Sequence, residues 1–125
     1  MSFFSALKEM ANESHGNAIH TELKNKLLRL KAHEPSVVQA GLAAFRERVE
    51  GQQDELLALP RDTKISTGKF LQSQGREIWE TDLINAISLY LSGAWLESSV
   101  RPGPKAAEAH QLLSAILDNV SQLQD

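Results

Sequence analysis

The chain has 125 residues, 42% of them apolar and 23% charged, with a formal net charge of -3 and no cysteine. That length supports one hydrophobic core and not two, and the composition excludes a disordered chain. The missing cysteine excludes disulfides and thiolate chemistry, and the slight acidity argues against sequence-independent nucleic-acid binding.

No apolar run approaches the ~20 residues that span a bilayer, and MSFFSALKEM has no basic n-region. The expectation is a single helical domain over 1–125, cytoplasmic and without membrane contact. Phe3, Phe4, Leu7, Met10 and Ala11 have helical spacing and predict a short helix over 3–13. Gly16-Asn17 reads as a break, since glycine is costly inside a helix. Ile19, Leu23, Leu27 and Leu30 then predict a helix over 17–32.

Pro35 suits a first helical position. Val38, Leu42, Phe45, Val49, Leu56 and Leu59 form an a/d seam that predicts one helix over 35–59, ended by Pro60. Residues 60–75 break the pattern with Gly68, Gly75 and several Ser and Thr. They read as a long irregular loop, in which Lys64–Ser66 and Lys69–Leu71 flank Thr67-Gly68 as a candidate hairpin.

The stretch 76–97 is apolar around most of its circumference, which predicts the central, most buried helix. Residues 99–103 form a linker, and Pro104 opens the last helix. There Ala106, Ala109, Leu113, Ile116, Val120 and Leu123 make a second seam. The predicted fold is all-α: a four- to five-helix bundle, mostly antiparallel, with one long loop at about 60–75.

The candidate chemistry is sparse. The four histidines lack metal-ligand spacing, so no metal and no cofactor is expected. Lys24, Asn25 and Leu27, following His20, resemble the phosphoacceptor helix of one class of sensor histidine kinases. Thr21 stands where such kinases place the phosphorylated histidine. His110 in AHQLLSA resembles the histidine of phosphotransfer domains, with Leu113 and Ser114 where those carry lysine and glycine. These resemblances imply a phosphoryl-accepting role for His20 or His110.

Ser66-Thr67-Gly68-Lys69 matches the end of a phosphate-binding loop, but Thr63 and Phe70 occupy positions that need glycine and a hydroxyl. Arg61, Lys64, Lys69 and Arg76 nevertheless oppose only Asp62, and they are the candidate anion-binding residues. Leu113, Ile116 and Val120, with Trp95, are the candidate partner contacts, because an a/d seam either closes a core or joins two subunits.

No serine, histidine or carboxylate constellation supports catalysis. The sequence therefore reads as a small helical interaction module without its own catalysis: an adaptor, chaperone-like factor, inhibitor or regulator. A protein partner and a homodimer are expected, and nucleic acid is not. The alternatives are a small-ligand, anion-binding or phosphoryl-accepting domain, and a structural component of a viral or secretion assembly.

Overall fold

The structure, a computed structural model, describes residues 3–118, with side chains from residue 14 onward. Six helices follow in order: α1 (Phe3–Leu30), α2 (Pro35–Val49), α3 (Gln53–Leu57), α4 (Arg61–Ile78), α5 (Leu83–Ser98) and α6 (Pro104–Asp118). The described residues contain no strand. The all-helical expectation holds, but the helix count and several boundaries differ from it.

α5 is the centre. Every residue from Tyr90 to Ser98 is buried, and α5 packs on α1, α2, α4 and α6. Its apolar circumference demands this, because an exposed α5 would leave Ile87, Leu91 and Trp95 in water. The two seams meet it as core. Leu42, Phe45 and Val49 of α2, and Ala106, Ala109, Leu113 and Ile116 of α6, are all buried. Burying a large apolar side chain such as Phe45 contributes roughly 1.5–3 kcal/mol.

The predicted loop at 60–75 is helix α4, and the candidate hairpin is part of it. Its buried stripe is Gly68, Gln72 and Gly75, at i, i+4 and i+7. This stripe has helical spacing but no hydrophobic side chains, so a search for apolar periodicity passes over it. The glycines let α4 lie backbone-close on α5. A Cβ on Gly68 would stand 2.8 Å from the Gly93 carbonyl oxygen, and one on Gly75 would stand 2.8 Å from that of Ala86. Packing against α5 thus overrides the low helix propensity of the segment.

Three further boundaries move. α1 continues through Gly16-Asn17 for 28 residues, about 42 Å. Gly16 is a contact there, since a Cβ would lie 2.8 Å from the Ala106 Cβ of α6. The predicted 35–59 helix divides in two: Glu50 is extended, and Gly51 has φ +82°, which returns the chain into α3. The predicted 76–97 helix starts at Leu83, where Asp82 is the N-cap and its side chain accepts from the Asn85 amide.

Helix directions are mixed. α4 and α5 run antiparallel, because Gly68 meets Gly93 and Glu97 while Gly75 meets Ala86 and Tyr90. α1 and α6 run parallel, because Gly16 meets Ala106 and His20 meets Glu108. Pro35 and Pro104 open α2 and α6 as predicted.

Candidate functional site

α1, α2 and α6 enclose an open groove of about 890 Å³. Leu27 and Leu30 come from α1, Val38 and Leu42 from α2, and Leu112 and Ile116 from α6. Leu30, Leu42 and Ile116 belong to the core, so the groove floor is the core itself. The groove exists because α2 turns Ala40 and Ala43 towards it, where longer side chains would fill the space. Lys31, His33 and Ser36 contribute polar groups to its lining. Leu112 in the lining is 38% exposed, and Leu28, next to Leu27, is 59% exposed.

Of the candidate partner contacts, Leu113 and Trp95 lie in the core, with 0% and 2% exposure. Ile116 lines the groove. Val120 lies outside the described residues. Leu112 of the groove lining is exposed instead, and Leu28, Leu57, Phe70 and Ile84 are the other exposed large apolar side chains among the described residues. The doubled leucines at 27–28 and 112–113 are the sequence signal for this, since a single buried stripe cannot take both members of such a pair.

The four candidate anion-binding cations sit on α4 and its first turn, not on a loop. Arg61 lies beside Asp62 at 3.7 Å, and Lys64 Nζ donates to the Leu57 carbonyl at 2.8 Å. Lys69 is exposed. Arg76 donates twice to the Glu22 carboxylate of α1, from Nε and Nη2, each at 2.7 Å. Arg61 and Arg76 are separated by about 22 Å of helix, so the four do not converge on one anion.

The Arg76–Glu22 pair edges an aromatic cluster. Lys26 Nζ stands 4.2 Å from the Trp79 ring centroid and 5.1 Å from that of Tyr90, and the two rings meet edge-on. Burial works against the Glu22 carboxylate, but Arg76 outweighs it and holds the pKa below the ordinary value. Burial, then the neighbouring Glu22 charge, pushes the Tyr90 phenol well upward. The phenol is therefore neutral, and its buried hydroxyl lies outside good hydrogen-bond geometry with the described residues. This cluster fastens α1 to α4 and α5.

A second polar network is buried between α4 and α5. Gln72 Nε2 donates to the Gly68 carbonyl at 3.1 Å and to Glu97 Oε1 at 2.8 Å, and Arg101 Nε donates to Glu97 Oε2 at 2.8 Å. The Glu97 and Arg101 side chains are 4% and 5% exposed. A buried carboxylate persists only with such partners.

The two histidines singled out by sequence hold helices together. His20 Nε2 is 3.1 Å from Glu108 Oε2, across α1 and α6. His110 stacks on Trp95, and its Nδ1 lies 2.9 Å from the Trp95 carbonyl oxygen. A carbonyl only accepts, so Nδ1 carries the proton. Burial lowers the His110 pKa, against the pull of that bond, so the ring is neutral at pH 7. Among the described residues, no three His, Asp or Glu side chains gather in a metal-binding group. No described helix is long and apolar enough to cross a membrane.

Comparison with known proteins gives no family. No family model matches the chain, and neither the curated proteins nor the solved structures yield a match. The functional reading therefore rests on the geometry of the groove and the polar clusters.

Proposed function

We propose that this chain is a helical protein-interaction module without catalysis of its own. Its docking face is the α1–α2–α6 groove, and the occupant is the apolar face of a helix from a protein. The observation that carries this reading is the groove itself: an open apolar channel of about 890 Å³, floored by core leucines and continuous with exposed Leu112. Helix-in-groove recognition uses such a surface, with apolar anchors at i, i+3, i+4 and i+7. An apolar centre beside polar groups such as Lys31 and Ser36 also matches the anatomy of protein interfaces.

The test is site-specific photo-crosslinking in the source cell. A benzophenone side chain at Ala40 lies in the groove, and one at Ser73 lies on the exposed face of α4. The expected result is a defined protein cross-link from Ala40 and none from Ser73, with the captured residues on one face of a helix. Equal labelling from both sites, or none from Ala40, refutes the reading.

A further inference from the structure

A second open groove, of about 720 Å³, runs along α1 and shares no lining residue with the docking face. Thr21, Glu22, Asn25, Lys26 and Arg29 line it, at the spacing that puts side chains on one helix face. Lys26 stands out among them. The residue is only 8% exposed, yet it forms no hydrogen bond or ion pair with a described residue. The Trp79 and Tyr90 rings attract its charge but offer no oxygen to its three N–H donors. Burial lowers the Lys26 pKa; Glu22 and Glu80 oppose this, while Arg29 and Arg76 add to it.

The one carboxylate in this part of the lining is already taken, because Arg76 donates to both oxygens of Glu22. Arg29, three residues beyond Lys26, is exposed and forms no ion pair with a described residue. This end of the groove therefore holds two cations whose donors have no anionic acceptor. A buried cation in that state is costly, and a bound anion would relieve the cost.

We propose that this groove binds a phosphorylated polyol, with its phosphate at Lys26 and Arg29 and its hydroxyls at Asn25 and Thr21. A phosphate monoester carries nearly two negative charges near pH 7 and three strong acceptor oxygens, which suits two cations better than a single carboxylate does. Asn25 and Thr21 stand one and two turns before Arg29, about 6 and 12 Å along the helix. Their amide and hydroxyl groups both donate and accept, as hydroxyls of a polyol require. The described lining holds no aromatic ring, so a nucleobase would have nothing to stack on.

The experiment is isothermal titration calorimetry on the full chain at pH 7. The probes are glucose 6-phosphate, ribose 5-phosphate and glycerol 3-phosphate, with free glucose and inorganic phosphate as the two halves. At least one phosphorylated polyol is expected to bind with a Kd of about 1 mM or tighter. Free glucose should not bind, and inorganic phosphate should bind about tenfold more weakly.

Lys26→Met removes the charge and keeps an apolar stem against Trp79, and should weaken binding about tenfold or more. Arg29→Gln should weaken it about tenfold with no change in Tm, since the side chain is exposed. This second variant decides the matter if Lys26→Met does not fold. Thr21→Val should weaken the phosphorylated polyol about threefold and leave inorganic phosphate unaffected. No binding of any of the three up to about 10 mM overturns the proposal. So does inorganic phosphate that binds as tightly as they do, or binding that Arg29→Gln leaves unchanged.

Discussion

Gly93→Ala tests the α4–α5 crossing directly. Intrinsic propensity predicts a gain, because alanine is favoured over glycine inside a helix by about 1 kcal/mol. The structure predicts a loss. A Cβ at position 93 would collide with the Gly68 carbonyl oxygen and stand 2.7 Å from the Gln72 amide nitrogen. Both obstacles are backbone, so no rotamer change relieves them and the helices must separate. Overpacking costs about 1–3 kcal/mol, and a backbone collision belongs at the upper end. Subtracting the propensity gain leaves a net loss of about 2 kcal/mol. At about 4 °C per kcal/mol for a chain of this size, Tm should fall by about 8 °C.

Gly51→Ala provides the contrast. Gly51 has φ +82° and nothing within 4 Å of an added Cβ, so the only cost is left-handed strain of about 1 kcal/mol. Calorimetry on the three proteins at pH 7 checks both. An unchanged or raised Tm for Gly93→Ala would refute the close crossing and the account of why 61–78 is helical.

Arg101→Met should cost about 3 kcal/mol in urea unfolding, because it leaves the buried Glu97 carboxylate without its cation. The double variant Glu97→Met with Arg101→Met should cost less than the single one, and a larger cost would refute a buried-charge penalty. His110 gives a pH prediction. Its folded pKa lies below the ordinary value of 6.5, so the unfolded chain binds the proton more readily. The stability from the neutral ring is complete above about pH 6.5 and is lost as pH falls below it. His110→Gln should flatten that part of the stability curve between pH 7 and 5, and an unchanged slope would refute the assignment.

Much of the site's raw material was visible in the sequence without its meaning. The a/d seams identified Leu113 and Ile116 as buried, but a seam looks the same whether it closes a core or joins subunits. Trp95 and Leu113 proved to be core. Arg76 looked like part of a basic loop, yet it is held by Glu22, which lies 54 positions away. His20 and His110 looked like candidates for chemistry, and each joins α6 to a neighbouring helix, His20 from α1 to Glu108 and His110 from α6 to the Trp95 carbonyl of α5.

The sequence by itself determined what depends on local geometry and one-dimensional period. Pro35 and Pro104 open helices because a fixed φ and a missing N–H suit a first turn. The stretch within 76–97 becomes the buried centre because no polar face is wide enough to meet water. Tertiary structure decided what depends on a neighbour. α4 is helical because Gly68 and Gly75 allow the α5 backbone to approach, a benefit absent until α5 is in place. α1 passes through Gly16 because Ala106 of α6 lies against it. The groove arises because alanines 40 and 43 of α2 face the gap bounded by α1 and α6, so small side chains leave a channel only where three helices meet.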